Sequence, residues 1–425
     1  MSFFFLPGIY VYRFGIFIAS FFSEKARLWI RGRKNTFSRL SEFAQRKDPT
    51  KKLIWFHCAS LGEFEQGRPL IEKFFNEGAY TVALSFFSPS GFEVRKNYEK
   101  AHFVFYLPLD TPGNAAKTVS FLRPDLVIFV KYEFWHFHLR EISKNKIPLL
   151  LISGVFHSGQ PFFKFWGKGF RKTLSFFSKI GVRDERSQLL LKTINVSSKI
   201  TGDLRFDRVS SVAGQAFEDD KIRKFSEGQK ILVAGSAWEP DDAIILKFLN
   251  SHAADWKIIL APHDVNPARI DLLKRTFGTF SPVLYSGSEK ETDPASRVMI
   301  IDTIGKLSFL YRYGSLCWIG GGFGKSIHNI LEPAAYGIPV VFGPAFGKFP
   351  EAGELITLGG AFGVNTPKEG FEKLSWLARD PVLRQIAGFI GSEYVRKNTG
   401  ATEKSLQLAL SLINNTRTIP AKTEV

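Results

Sequence analysis

A two-domain α/β protein is what the sequence predicts, on three observations. Short apolar runs rich in Val, Ile, Leu and Phe, bounded by glycine and turn residues, recur from Lys52 onward and again from Lys230. Helical patterns fill the intervals, which implies parallel sheets covered by helices on both faces. One polar stretch, Arg208–Gln229, interrupts the alternation in a chain of 425 residues, a length comfortable for two domains. The expected division is an N-terminal segment 1–34, a first domain 35–207, a linker 208–229 and a second domain 230–425 that includes paired amphipathic helices over Asp380–Ile413, with Asn414–Val425 frayed.

Hydrophobic residues make up 44% and charged residues 23% of the chain, which excludes both a disordered protein and a multi-span membrane protein. A formal net charge of +17 points to an anionic partner: nucleic acid, a phospholipid surface or a phosphorylated substrate. The two cysteines, Cys58 and Cys317, form neither a disulfide framework nor a metal-spaced set, which fits a reducing cytoplasm. Phenylalanine is abundant, 43 residues, with concentrations near the N-terminus and between Phe156 and Phe177.

Residues Phe3–Phe22 are mostly apolar and aromatic but are interrupted by Pro7, Gly8 and Arg13. A mid-bilayer arginine costs about 2.5–3.5 kcal/mol, which argues against a clean spanning helix. Lys25, Arg27, Arg31, Arg33 and Lys34 follow at once, an order of apolar run and charge opposite to that of a secretory signal. The pattern reads as an anchor helix in the inner leaflet with the basic cluster on anionic head groups, the body of the protein being cytoplasmic. A hydrophobic helix packed on the protein's own core would use the same residues.

In the first half, strands are expected at Leu53–Ser60, YTVALSFF, HFVFYLPL, PDLVIFVKY, IPLLLISG, Ile180–Asp184 and SKITGDLRF. Ligands of parallel sheets gather at the loops leaving the carboxyl ends of strands. Ser60, Gly62 and Glu63 lie in the first such loop, Ser88 in the second and Glu133 in a later one. Glu63 stands where a helix begins, so it suits a general base aimed into a cleft. Ser60-x-x-Glu63 equally matches a capping box, a purely structural helix start. Glu133 reads as a cleft carboxylate or a solvated loop acid. His57 reads as a satisfied core histidine, since no partner spacing suggests a metal or a triad.

The second half repeats the architecture, with strands at Lys230–Trp238, Trp256–Asp264 and Val298–Leu307. Gly235 and Ser236, Pro262 and His263, and Ile304, Gly305 and Lys306 stand at their carboxyl ends. The stretch Ser315–Gly343 then reads as a strand (Leu316–Ile319), a glycine loop (Gly320–Gly322, Gly324), a short helix from about Asn329 and a strand (Pro339–Phe342). A glycine loop opening a helix suits a phosphate, and Glu332 in the first turn suits ribose hydroxyls. A tight turn in an α/β core explains the same glycines. Shared architecture suggests two Rossmann-like domains facing across a cleft.

Taken in order, WIRGRK (Trp29–Lys34), HCASLGE, SPSG, YLPLDTPG (Tyr106–Gly113), YEFW, TGDLRFD (Thr201–Asp207), AGS, APHDVNPAR, DTIGKLSFLY and HNILEPAAYGIPVVFGP resemble the 3-deoxy-D-manno-octulosonic acid (Kdo) transferases of lipopolysaccharide biosynthesis. These are lipid IVA Kdo transferases, glycosyltransferase family 30, of the GT-B fold. The resemblance covers nearly the whole chain. It implies that Glu63 is the catalytic base, that Glu133 and Arg205 stabilise the transition state, and that Pro262, His263, Ile304–Lys306 and Asn329, Ile330, Leu331 and Glu332 hold the CMP moiety. The family usually has arginine at His263, lysine at Arg205, an acid at Lys306, proline at Ile330 and an acid at Lys131.

The resemblance further implies inverting transfer of Kdo from CMP-Kdo to a lipid A precursor at the inner membrane. No metal and no other cofactor are expected, since a CMP-sugar carries a single phosphate. Among anionic partners it selects the membrane and the phosphorylated acceptor over nucleic acid. Two alternatives use the same fold: a GT-B enzyme with a UDP-sugar and a lipid-linked acceptor, and a non-catalytic membrane-bound scaffold. On this reading the glycines of Gly320–Gly324 let the backbone pass close to the donor and the facing domain rather than grip a diphosphate.

Overall fold

The computed structural model describes residues 2–287 and 295–415. The chain divides into two compact units, Met1–Arg208 together with Thr399–Val425, and Val209–Asn398. Each unit is built on its own sheet, and each is described by itself.

The first sheet contains β1 (Lys52–Cys58), β2 (Tyr80–Phe86), β3 (Phe103–Tyr106), β4 (Leu126–Val130), β5 (Leu149–Gly154), β6 (Lys179–Val182) and β7 (Lys199–Ile200), in the order β3-β2-β1-β4-β5-β6-β7. All its pairings are parallel. Strands in such a sheet are buried on both faces, which is why they read as unbroken apolar runs. Period-two alternation then sorts their side chains: Ile54, Phe56, Val82, Leu84, Ile128 and Leu150 enter one core, while Leu53, Trp55, Ala83, Val127, Phe129 and Leu151 enter the other. Each fully buried large side chain stabilises the unit by roughly 1.5–3 kcal/mol.

The second sheet contains β8 (Lys230–Ala237), β9 (Trp256–Pro262), β10 (Val283–Leu284), β11 (Val298–Ile300), β12 (Leu316–Ile319), β13 (Val340–Phe342) and β14 (Ala361–Gly363). Its order is β10-β11-β9-β8-β12-β13-β14, again parallel throughout. The strands read from sequence are present, but SKITGDLRF is strand only at Lys199–Ile200, its end opening the helix Leu204–Gly214, and Val298–Leu307 is strand only at Val298–Ile300. The edge strands β10 and β14 were not expected, because runs of two or three residues carry no readable period.

Three expectations change. The stretch 208–229 is largely helical, with helices Leu204–Gly214 and Asp220–Ser226 in place of an open linker. The helices Pro381–Lys397 and Ala401–Asn415 are not a pair within the second domain, since the latter belongs to the first unit. The Asp207 carboxylate accepts hydrogen bonds from the Gly400 N–H (2.6 Å) and the Thr402 N–H, and Lys73 meets Glu403 at 2.6 Å. Leu406, Ala409 and Leu412 complete the core around Ile54, Ile128 and Leu204. The expected short helix near Asn329 starts at Leu331 and runs only to Ala335. Most of the expected frayed terminus, from 416 onward, lies outside the described residues.

Ser2–Ala19 forms a helix with Pro7 inside it, yet no helix among the described residues is long and apolar enough to cross a membrane. Val11, Phe14, Phe21 and Phe22 are exposed, Phe22 at 87%. Tyr12 instead packs on Trp29 and Phe87. Arg33 fastens this region to the unit: its guanidinium donates to the carbonyls of Trp29 (3.0 Å), Phe87 (2.6 Å) and Leu107 (3.0 Å) and lies 3.8 Å from the Trp29 ring centroid.

Candidate active site

In the first unit, the loops leaving β1, β4, β6 and β7 place Glu63, Lys131, Glu133, Arg183, Asp203 and Arg205 at the carboxyl edge of the sheet. Glu63 is in the first turn of the helix Leu61–Asn76, in the capping box that its spacing announced. Its Oε2 accepts from the Ser60 N–H (3.1 Å) and from the Ser60 hydroxyl. Its Oε1 has no hydrogen-bond partner among the described residues. Capping therefore occupies one carboxylate oxygen and leaves the other available. Ser88 caps the next helix, and its N–H reaches the Ala59 carbonyl, which ties the two loops together. Gly62 is exposed beside them.

Lys131 ends β4 in the left-handed region, φ 71°, an unusual conformation for a residue with a side chain. Burial lowers its pKa, Arg205 and Arg183 push the same way, and Glu63 and Asp203 oppose them. The Lys131 ammonium thus feels the opposed charges of Glu63 and Arg205. Arg205 is not a free cation: its Nη2 donates to Asp203 Oδ2 at 2.8 Å and its Nε to the same carboxylate at 3.0 Å. Burial would raise the Asp203 pKa, but Arg205 more than offsets it and the pKa is lowered. Arg183 is a site cation that the sequence reading did not single out, and Lys131 was noted only where the family usually has an acid; what marks both is position, at the carboxyl ends of β4 and β6.

Glu133 borders His57, which is fully buried in β1. The Trp135 Nε1–H donates to His57 Nε2 (2.9 Å), so His57 carries its proton on Nδ1 and donates it to the Ser85 hydroxyl (2.8 Å). Ser85 also accepts from Trp55 Nε1 (2.8 Å) and donates to the Phe56 carbonyl. Glu133 Oε2 lies 3.5 Å from His57 Nε2. Burial lowers the His57 pKa against the raising effect of Glu133. The expected core histidine is therefore satisfied, and it also borders the site.

In the second unit, β9, β8 and β12 are neighbours, and each is followed by an aromatic ring of a common stack. Trp238 follows β8, His263 follows β9 and His328 lies in the loop after β12. The Trp238 and His263 rings stack at 4.2 Å, and His263 and His328 lie 4.6 Å apart. Trp238 Nε1 donates to His328 Nε2 at 3.1 Å. Sequence reasoning named only His263 of the three. Pro262 is buried, and the His263 N–H is bound to the Ala237 carbonyl.

The glycine loop is packed, not open. A Cβ on Gly320 would meet the Ser236 carbonyl oxygen at 2.3 Å, and one on Gly322 would meet Gly343 Cα at 2.6 Å. The buried Asp241 carboxylate accepts from Gly321 N–H, Trp238 N–H and Trp318 Nε1–H. Gly235, in β8, lies against the Tyr311 hydroxyl. Asn329 Nδ2 donates to Glu332 Oε1 (3.1 Å), and Asn329 Oδ1 accepts from Leu331 N–H. Ile330 and Leu331 are fully buried core residues, so only their backbone can address a ligand. Ile304 is 86% exposed, Gly305 has φ 89°, and Lys306 lies over the rings of Phe217 and Tyr285.

Residues 34–208 match the family model of 3-deoxy-D-manno-octulosonic-acid transferase (kdotransferase). A 3-deoxy-D-manno-octulosonic acid transferase of Haemophilus influenzae is 26% identical over 403 residues, covering 89% of this chain and 91% of that protein. A probable mitochondrial 3-deoxy-D-manno-octulosonic acid transferase of Arabidopsis thaliana is 30% identical over 370 residues, covering 80% of this chain and 81% of its own. The chain belongs to the Kdo transferase family. It is a glycosyltransferase with a GT-B-like fold of two parallel-sheet α/β domains. A UDP-GlcNAc 2-epimerase from Neisseria meningitidis superposes with a TM-score of 0.62 at 14% identity, covering 86% of this chain and all of that one. At that identity the likeness concerns the fold alone.

Proposed function

We propose that this Kdo transferase moves Kdo from CMP-Kdo to a lipid A precursor of the lipid IVA type, with inversion at the anomeric carbon. The observation that carries the reading is the half-used Glu63 carboxylate at the sheet edge that also carries Lys131 and Arg205. Glu63 Oε1 takes the proton of the acceptor hydroxyl as its oxygen bonds to the anomeric carbon. The bond from that carbon to the CMP phosphate breaks, and CMP leaves with the electron pair. Lys131, Arg183 and the Arg205–Asp203 pair supply a cationic wall for the sugar's carboxylate, and Glu133 stabilises the positive charge that develops on the ring. On the second domain, His263, Lys306 and the Asn329–Glu332 pair address CMP, and Trp238 offers its ring to the base. This reading requires no metal. The exposed apolar face of the first helix and the basic cluster after it support residence on the cytoplasmic face of the inner membrane.

Glu63→Gln is the discriminating variant, because glutamine still completes a capping box but cannot act as a base. Turnover should fall by about 10²–10⁴-fold with CMP binding and the unfolding midpoint unchanged. Near-normal turnover would reject the base role. Competition of CMP against UDP for the second domain tests the donor, and preference for UDP would overturn that part.

A further inference from the structure

The Phe-rich stretch between Phe156 and Phe177 lies outside the chemistry above, and it is not simply core. Phe156 and Phe162 are buried, whereas Phe165 is 95% exposed and the neighbouring Trp166 54%. These two rings are held out on a fixed loop. Arg171 Nε donates to the Phe162 carbonyl and its Nη2 to the Lys164 carbonyl, both at 2.9 Å. The Gly167 N–H donates to the Lys164 carbonyl, and a Cβ at Gly167 would meet the Pro161 carbonyl oxygen at 1.9 Å, so the turn closes tightly. Trp166 is braced edge-on against Phe170 at 5.9 Å. A loop pinned in this way keeps two large apolar side chains in water, which is unfavourable unless a partner covers them.

The charge around the loop shows which partner. Between Glu141 and Asp184 the sequence has eight Lys or Arg residues and no acidic residue. Arg140, Lys144 and Lys172 line a cavity of about 400 Å³ together with Ser143, Gly169 and Phe176. That cavity and the exposed rings share the segment Phe165–Lys172. Its charge and size suit the phosphate of a lipid head group, while Phe165 and Trp166 suit the interface just below it, where aromatic rings concentrate.

We infer that Phe165 and Trp166, with Arg140, Lys144 and Lys172, form a second bilayer contact that binds an anionic phospholipid surface, separate from the N-terminal helix. It depends on no part of the transfer mechanism. Two points of attachment would hold the first unit in a fixed orientation over the membrane, where one helix alone would leave it free to swivel.

The test places a polarity-sensitive fluorophore on the full chain at Phe165→Cys. Native Cys58 and Cys317 are both fully buried, so labelling is selective. The labelled protein is mixed with vesicles of phosphatidylcholine alone or of phosphatidylcholine with phosphatidylglycerol. The expected result is a blue-shifted, brighter signal with the anionic vesicles only. The vesicle concentration needed should rise about 10-fold when Lys144→Gln and Lys172→Gln are added. Sedimentation with the vesicles but an unchanged spectrum would mean binding through the N-terminal helix alone and would overturn the proposal. Brightening that tracks protein concentration without vesicles would assign the rings to a second copy of the chain and would overturn it equally, as would failure to bind anionic vesicles.

Discussion

Glu63 shows how much a single residue's spacing can tell. Ser60-x-x-Glu63 was legible as a capping box and as the position of a base, and the two readings seemed to compete. Because the cap uses Oε2 alone, both can hold. The network around His57 was not legible: His57, Ser85 and Trp135 are far apart in sequence and meet only because β2 and β4 both flank β1. Trp135→Phe keeps the ring that packs on Phe87 but removes the N–H that sets the His57 tautomer. Its kcat should drop on the order of 10-fold with donor KM unchanged, and ¹⁵N shifts of His57 should report the lost tautomer. Unchanged kcat would remove the positioning role. His328 gives a pH prediction. Burial and the neighbouring His263 push its pKa down to about 4, below the ordinary value near 6.5. Between those values the unfolded chain binds a proton that the native chain refuses, so stability falls as pH falls through that window. Allowing for partial exposure, the loss is about 1–2 kcal/mol. Unfolding of His328→Gln at pH 7 and pH 4.5 should show a correspondingly smaller loss, and an identical pH dependence would refute the assignment.

At the scale of elements, strands buried on both faces were the most legible feature, since their composition alone separates them from the helices around them. A helix start was legible where a capping box marked it, at Ser60, whereas the cap at Ser88 was read only as part of a loop. The role of WIRGRK was not. Nothing in those six residues says that Arg33 will reach carbonyls 54 and 74 positions away. That reach makes Arg33 the tie between the N-terminal helices and the loops after β2 and β3. Removing it leaves the carbonyls of Phe87 and Leu107 without this donor and strips a cation from the Trp29 ring. Arg33→Ala should cost about 2–4 kcal/mol and expose residues 2–31 to limited proteolysis while the rest of the first unit stays protected. Arg33→Lys should recover little, since an ammonium cannot fork to three acceptors held in that geometry. Proteolysis at the wild-type rate in both variants would show that the apolar contacts of Tyr12 and Trp29 suffice.

For the whole molecule, two sheets could be read from the repeated alternation, but the assignment of the chain's end could not. A helix that follows the second unit in sequence belongs by default to that unit, and only its partners say otherwise. Those partners are specific: Asp207 caps its first turn, Lys73 pairs with Glu403, and Leu406, Ala409 and Leu412 fill the core of the first unit. The first unit is therefore complete only after the second has been synthesised. Truncation before Thr399 tests this directly. It uncovers Ile54, Ile128 and Leu204, and the loss of several large buried side chains at about 1.5–3 kcal/mol each is enough to unfold a domain of ordinary stability. Amide exchange in β1, β4 and β5 should then approach the unfolded rate while β8, β9 and β12 keep their protection. Asp207→Ala should give a milder form of the same pattern, about 1–3 kcal/mol, because it removes the cap and leaves the core side chains in place. Loss of protection in the second sheet instead would mean that the terminal helix serves the unit it follows.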